Sequence, residues 1–150
     1  MPIEGNYRPS TSGWVADQVA EYEASGGTRA NTLRETGIPV IIVTMRGAHS
    51  GAVRKIALMR VEHEGAYALV ASKGGAPTDP AWCANLRADP NVMVQDGPEP
   101  GDYIVREITG EERELWWRRS VEVFAPYAEY EVRAAEANRI IPVYIAEPSG

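Results

Sequence analysis

The stretch from Ser72 to Leu86 reads SKGGAPTDPAWCANL and is the most informative part of the chain. Its adjacent glycines, Gly74 and Gly75, allow the backbone to approach a ligand closely and to turn N–H groups toward it. Lys73 adds a positive charge, and a helix predicted to begin near Pro80 points its first amides into the same region. The pattern predicts a strand, a glycine turn and a short helix. It also fits a cradle for a phosphate or carboxylate beside an aromatic slot.

The same stretch has a simpler interpretation, in which a glycine turn joins a strand to a capped helix and Trp82 packs in the core. Adjacent glycines are common in turns that bind nothing. The residues alone therefore leave both interpretations open.

A second segment, from Arg46 to Lys55, also combines glycines with cations. The lysines of the chain, Lys55 and Lys73, fall one in each segment, although the formal net charge is -6. Positive charge concentrated in two segments of an acidic protein suggests an anionic ligand. Arg54 and Lys55 are equally compatible with solvated positions on a strand, so neither segment is decisive by itself.

Composition limits the classes of protein that remain. The 150-residue chain has 44% hydrophobic and 24% charged residues, which are ordinary values for one globular domain. Its acidic balance argues against nucleic-acid binding. The single cysteine, Cys83, excludes an internal disulfide, and with two histidines it offers no ligand pair at metal-site spacing, so we expect no metal centre. Hydrolase-elbow, Walker and dinucleotide-binding motifs are absent, so any chemistry is expected to come from an organic cofactor.

The order of the predicted elements is that of a mainly antiparallel α+β barrel. Apolar residues at helical spacing predict an amino-terminal helix from Trp14 to Ala24. Strands are predicted at residues 39–45, 53–63, 66–72, 91–95, 102–109 and 140–145, and helices at 80–87, from 109 onward and after Pro126. Pro142 predicts an edge or a bulge for the last strand. We expect one domain, with a helix and loop over residues 1–36 and a barrel with its helices over 37–148, and not a doubly wound α/β sheet.

The run from Phe124 to Tyr130, FAPYAEY, is a third candidate feature. Tyr127 and Tyr130 share one helix face, where their hydroxyls would donate hydrogen bonds or protons to a substrate oxygen. Trp116 and Trp117 precede them and would supply apolar walls. Because an aromatic stripe at helical spacing is more often core, we expect the tryptophans in the core and leave the two tyrosines undecided.

These segments resemble the deazaflavin-dependent nitroreductase family, whose members are split β-barrels that use coenzyme F420. The resemblance extends from about Pro39 to Pro148 and is loose before Thr28. Several spaced motifs occur in the same order, namely Ser50-Gly51 with Arg54, the SKGGA segment, Pro80, Trp82, Asn85 and Leu86, residues 111–113, the tyrosines after Pro126, and residues 139–143.

The resemblance implies a groove that holds F420, with FMN as the alternative cofactor of split barrels. It assigns cofactor binding to His49, Ser50, Gly51, Arg54, Lys55, Ser72, Lys73, Gly74, Gly75, Pro80, Ala81, Trp82 and Asn85. Residues of the first loop and of the glycine turn would face the phosphate and the acidic tail, and those from Ala81 to Asn85 the ring. It assigns catalysis to Ser72, Tyr127 and Tyr130, and the substrate pocket to Met59, Phe124 and the same two tyrosines.

The activity implied is hydride transfer from reduced F420 to a quinone, an enone or a nitro-aromatic acceptor. An FMN-dependent reductase and a binding module without turnover are the alternatives. The chain departs from the family pattern at Ala48 and His49, where relatives often have two basic residues, and at Cys83, where an aromatic is usual. Met59 and Phe124 stand where some nitroimidazole-reducing members have tyrosines. We therefore expect cofactor binding but not the reduction of nitroimidazoles.

The amino terminus, Met1 to Gly5, lacks the basic start and apolar run of a signal peptide, and the apolar run at 38–45 is too short to span a bilayer. Some family members associate with membranes and reduce menaquinone. The helix over 14–24 carries acidic residues and no lysine, which predicts weak attraction to anionic lipid. We expect a cytoplasmic protein with at most peripheral membrane contact. Split barrels often dimerise, so a homodimer is one expectation for its assembly.

Overall fold

The computed structural model describes residues 3, 5–10, 13–32 and 37–149. Within these ranges the main feature is one seven-stranded sheet whose neighbouring strands are all antiparallel. The strands are β1 Val40–Arg46, β2 Val53–Met59, β3 Glu62–His63, β4 Ala66–Val70, β5 Asn91–Gln95, β6 Pro100–Glu107 and β7 Val143–Pro148. Their order across the sheet is β2-β1-β5-β6-β7-β4-β3.

Helices of the described chain pack on this sheet, and one short 3-10 turn, Lys73–Gly75, follows β4. They are α1 Gly13–Ala24, α2 Trp82–Ala88, α3 Gly110–Val123 and α4 Tyr127–Glu136. Each lies within a few residues of a predicted helix, and Pro126 separates α3 from α4 as expected. The predicted α+β class and its antiparallel character are confirmed.

The single strand predicted over residues 53–63 is wrong, because the chain changes partner within it. Arg60 N still donates to Pro39 O at 2.9 Å, whereas Val61 O accepts from Ala68 N at 2.9 Å. The chain therefore passes from beside β1 to beside β4, and Arg60 Nε is held at the crossing by Asp96 Oδ2 at 2.7 Å. This crossing brings the two ends of the sheet together, so the sheet curls into a partly closed barrel.

The edge or bulge position predicted for the last strand is also wrong. β7 lies inside the sheet, paired with β6 on one side and β4 on the other. Pro142 precedes the strand, so its missing N–H removes no hydrogen bond from either ladder. Its carbonyl accepts from Ala71 N at 3.0 Å, which extends the pairing with the end of β4.

Alternation along the strands divides the apolar residues between the inside of the barrel and two outer layers. Ile41, Val43 and Met45 point inward with the inner residues of the other strands, whereas Val40 and Ile42 face α1. Outward residues of β4 and β7 pack against α3 and α4. β1 is buried on both faces, which is why its sequence is a continuous apolar run rather than an alternating one.

The turn after β4 is unusually tight against α4. Lys73, Gly74 and Gly75 have φ values of +47°, +64° and +79°, so three consecutive residues adopt the left-handed region. A Cβ at Gly75 would lie 2.6 Å from the Tyr130 carbonyl oxygen and 2.8 Å from Arg133 Cβ. The turn therefore depends on glycine at this position for space as well as for its backbone angle.

None of the helices in the described ranges is long and apolar enough to cross a membrane. The expected absence of a signal peptide concerns the amino terminus, of which Met1, Pro2 and Glu4 lie outside the described residues. Residues 33–36 of the predicted loop also lie outside them.

Gly74 and Gly75 form a matched pair for testing this packing. Both have positive φ, so alanine at either should lose about 1–2 kcal/mol through backbone strain. Nothing lies within 4 Å of a Cβ at Gly74, whereas one at Gly75 would collide with α4, which adds roughly 1–3 kcal/mol. We expect Gly75→Ala to lower the urea midpoint clearly more than Gly74→Ala. Equal midpoints for the two variants would contradict the close approach to α4.

Candidate functional site

A cavity of about 740 Å³ lies where the amino-terminal segment, α1, the β1–β2 hairpin, the turn after β4 and α2 meet. Its volume falls within the roughly 300–1,000 Å³ that is usual for small-molecule and cofactor sites. The lining divides into an apolar wall and a cationic rim.

The apolar wall is formed by Val15 of α1, Met45 and Ile56 of the hairpin strands, and Trp82 of α2. The Trp82 ring lies 6.0 Å from the ring of Tyr144, which supports it from inside the barrel. Behind it Cys83 is buried, and burial raises the pKa of its thiol to about 11. The thiol is therefore uncharged at neutral pH. The apolar side chains of the wall suit the face of a flat aromatic ligand.

The cationic rim gathers side chains from three separate segments of the chain. Arg8, Arg54 and Lys73 all line the same cavity, and the His49 side chain lines it as well. Cations that converge on one concave surface favour an anionic ligand. The expected contribution of a helix amino terminus is small, because α2 has only seven residues. The positively charged side chains of the rim are therefore the main source of attraction for an anionic ligand.

Lys55 also lines the cavity, but its charge is already compensated. Its Nζ lies 2.5 Å from Glu23 Oε2 and 4.9 Å from the ring centroid of Tyr7. Both partners belong to the amino-terminal part of the chain, so Lys55 docks this part onto β2. A lysine paired in this way contributes less to the binding of an external anion than Arg54 or Lys73.

The loop between β1 and β2 is closed by its own main chain and tied to α2. Gly47 N donates to Ala52 O at 2.7 Å. Asn85 Oδ1 accepts from Ala48 N at 2.9 Å, and Asn85 Nδ2 donates to Met45 Sδ at 3.5 Å. Asn85 therefore fixes the loop relative to the apolar wall, in addition to lining the cavity itself.

Most of the residues predicted to bind a cofactor come together here, namely His49, Ser50, Arg54, Lys55, Lys73, Pro80, Ala81, Trp82 and Asn85. The lining does not include the other predicted residues, Gly51, Ser72, Gly74 and Gly75. The three glycines have φ values between +64° and +79°, so their part in the site is to shape the two loops that carry the lining residues.

The residues predicted to bind substrate lie outside the lining of this cavity. Phe124, Tyr127 and Tyr130 form an aromatic group, with ring centroids 5.0 Å apart for Phe124 and Tyr127 and 6.3 Å for the two tyrosines. Tyr127 is 4% exposed, and burial raises the pKa of its hydroxyl, whereas Tyr130 is only half-buried. Met59 packs against the same outer core.

The turn after β4 connects the aromatic group with the cavity. Gly75 contacts the main chain of Tyr130, while Lys73, two residues earlier, lines the cavity. Ser72 precedes the turn, and its carbonyl accepts from Gly75 N at 2.9 Å.

The amino-terminal part of the chain also reaches the cavity, through Arg8, Ser10 and Val15, and no motif in the sequence predicted this contribution. Arg8 is placed by its main chain, because its N–H donates to Val53 O at 2.8 Å and Val53 N donates to Asn6 O at 2.8 Å. Residues 5–10 have neither alternation nor an apolar run that would indicate a pairing with β2. An isolated arginine near a helix start was the one available signal.

Comparison with known sequences relates the chain to one group of enzymes, the F420H(2)-dependent quinone reductases. The chain matches the model of the F420H(2)-dependent quinone reductase family over residues 14–148. The F420H(2)-dependent quinone reductase Rv1261c of Mycobacterium tuberculosis is 29% identical over 110 residues, which are 71% of this chain and 72% of the relative. The putative F420H(2)-dependent quinone reductase Rv3178 of the same organism is 26% identical over 111 residues, or 74% and 91% of the two chains.

Solved structures show the same relationship. An F420-H2 dependent reductase, FDR-A, is 50% identical and superimposes with a TM-score of 0.67 over 73% of this chain and 94% of its own. A second structure, described as a domain-swapped dimer, is 44% identical with a TM-score of 0.70 over 92% of this chain and 100% of its own. These neighbours confirm the expected split-barrel fold.

Proposed function

The chain belongs to the F420H(2)-dependent quinone reductase family and is an oxidoreductase whose cofactor is coenzyme F420, and we propose that the cavity holds this cofactor for hydride transfer to a quinone. One observation carries the proposal. A single cavity combines an apolar wall around Trp82 with cations from three segments of an acidic chain.

The chemistry of the lining fits F420. The cofactor has a flat deazaflavin ring and a tail that carries a phosphate and glutamate carboxylates. The wall formed by Met45, Ile56 and Trp82 suits the ring, and Arg54 and Lys73 offer charge-assisted hydrogen bonds to the tail. FMN has the phosphate but not the carboxylates, so the cationic rim favours the longer cofactor.

Reduced deazaflavin supplies the hydride when it is bound. The protein would hold the ring against Trp82, anchor the tail through Arg54 and Lys73, and exclude water with the apolar wall. Hydride addition to a quinone places negative charge on the acceptor oxygen, which a hydroxyl donor would stabilise. The predicted donors for this step are Tyr127, Tyr130 and Ser72.

Exposure favours Tyr130 over Tyr127 as the donor. The position of Tyr127 directly after the helix-breaking Pro126 favours it for the larger role on sequence grounds, but Tyr127 is 4% exposed among Phe124 and Trp117. Burial raises the pKa of its hydroxyl and disfavours the release of a proton. Tyr130 is half-buried on the same helix and lies beside the turn that carries Lys73.

A homodimer is the assembly that we propose, supported by the 44% identical structure described as a domain-swapped dimer. Light scattering on the purified chain, with and without F420, measures this directly, and a monomer under both conditions would overturn it. A cytoplasmic location and peripheral membrane contact stay predictions from the sequence.

Titration with the two flavins tests the cofactor site. We expect F420 to bind more tightly than FMN and its affinity to fall as salt rises, because salt screens the contacts of the tail. Fluorescence titrations at low and high sodium chloride give both dissociation constants. Equal affinities without salt dependence would refute the site. Binding of reduced F420 without its oxidation by menadione, an enone or a nitro-aromatic would indicate a binding module.

Removal of one cation from the rim should weaken cofactor binding without unfolding the chain. Lys73→Ala or Arg54→Ala should each cost about 1.5–3 kcal/mol of binding, which is roughly ten- to hundred-fold in the dissociation constant. Arg118→Ala is the matched control, because Arg118 is an exposed cation of α3 outside the cavity lining. If Arg118→Ala weakens binding as much as the rim variants do, the loss of affinity comes from the change in net charge of the protein, and the tail binds elsewhere.

Conversion of each tyrosine to phenylalanine separates a core role from a role in catalysis. Tyr130→Phe should lower the turnover of a soluble quinone by about ten-fold or more, given general-acid contributions of about 10²–10⁴, and leave F420 affinity unchanged. Tyr127→Phe should have the smaller effect, because the ring that it keeps supplies the packing. Steady-state kinetics together with F420 titration give both quantities. Full activity in both variants would make the tyrosines structural and leave water or Ser72 as the proton source.

A further inference from the structure

Arg139 is a charged residue that lies between α4 and β7 and is only 9% exposed. Its guanidinium contacts the segment that follows β4, more than sixty residues earlier in the chain. Nε donates to Asp79 Oδ1 at 2.7 Å. Nη1 donates to the carbonyls of Ser72 at 3.0 Å and Ala76 at 2.8 Å, and Nη2 donates to the carbonyl of Ala71.

These acceptors bracket the turn that carries Lys73 into the cavity. Ala71 and Ser72 precede Lys73, whereas Ala76 and Asp79 follow Gly75. One side chain therefore holds both ends of the turn. Arginine suits this arrangement because its donors form a rigid planar fork, whereas the donors of lysine leave from a single nitrogen.

The turn requires such support because its backbone is strained. A left-handed conformation is sterically disfavoured for a residue with a side chain, and Lys73 adopts it with φ of +47°. Conformations of this kind persist only where the surroundings impose them. The side chain of Lys73 is itself weakly held, since Nζ lies 3.3 Å from Thr78 Oγ1.

We propose that Arg139 is a positioning residue, which holds the turn so that Lys73 faces the cavity ready to bind the anionic part of the cofactor. Arg139 is absent from the cavity lining and acts through the turn. The identity of the ligand rests on the proposed function, whereas the ordering of the turn by Arg139 does not.

Three variants test this role. Arg139→Gln removes the fork, and Arg139→Lys keeps the charge but not the planar set of donors. Arg113→Gln is the matched control, because Arg113 is similarly shielded at 13% side-chain exposure. Arg113 donates to Ile141 O at 2.8 Å, and its guanidinium lies 5.0 Å from the centre of the Trp117 ring. Both partners belong to the core between the sheet and the helices α3 and α4. The loss of Arg113 therefore weakens this core without touching the acceptors of Arg139.

Two readouts apply to every variant, namely amide hydrogen exchange of residues 72–79 without cofactor and the F420 dissociation constant. We expect Arg139→Gln to speed exchange in this segment and to raise the dissociation constant about ten-fold, with Arg139→Lys intermediate. Arg113→Gln should lower the melting temperature yet leave both readouts at wild-type values. If Arg139→Gln does not fold, Arg139→Lys is compared with Arg113→Gln in the same way.

Wild-type exchange in the Arg139 variant that folds, or the same exchange as in Arg113→Gln, would overturn the proposal and reduce Arg139 to a general stabiliser. Fast exchange with unchanged F420 affinity would also overturn it, because Lys73 would then not need to be held. Failure of wild-type protein to bind F420 would refute the proposed function instead, and the exchange comparison alone would then decide whether Arg139 orders the turn.

Discussion

The close approach of the Lys73–Gly75 turn to α4 is the constraint on which both the core and the cavity depend. A Cβ at Gly75 has no room beside the Tyr130 carbonyl, so the position of α4 dictates the path of the turn. α4 is in turn fixed by the burial of Tyr127 and Ala134 against the outer face of the sheet. Packing on the outside of the barrel therefore determines where Lys73 lies in the lining of the cavity.

The cavity separates charge from apolar surface in a way that suits a cofactor with two unlike ends. Behind the wall, burial keeps the Cys83 thiol and the Tyr144 hydroxyl uncharged by raising their pKa values. Neither of these two groups therefore contributes negative charge behind Trp82 at neutral pH. The reactive chemistry belongs to the cofactor, and the chain contributes position, charge and the exclusion of water.

Local patterns in the sequence were sufficient for most elements and for most of the cavity. Some signals depend on neighbouring residues alone and could be recognised in the sequence. They are the apolar run of β1, the adjacent glycines after β4, and the two lysines in glycine-containing segments. The break after Met59 could not be recognised, because the chain is apolar on both sides of it, at Met59 and Val61, and only the pairing partners differ: Arg60 still bonds to Pro39 beside β1, whereas Val61 already belongs to the hairpin with β4. The same holds for the extended segment around Arg8. The tyrosines stayed undecided because one helix face serves a core and a pocket equally well.

The position of β7 also governs the order in which the sheet can form. β7 is the last strand of the described chain, yet it lies between β6 and β4, where Tyr144 is paired with Glu107 and with Leu69. Until it inserts, β4 and β6 each present a row of unpaired peptide groups that can template other strands. Both pairings close long loops, so their entropy must be lost before contacts compensate for it. Closure of the sheet around β7 therefore costs more loop entropy than the pairing of any hairpin in it.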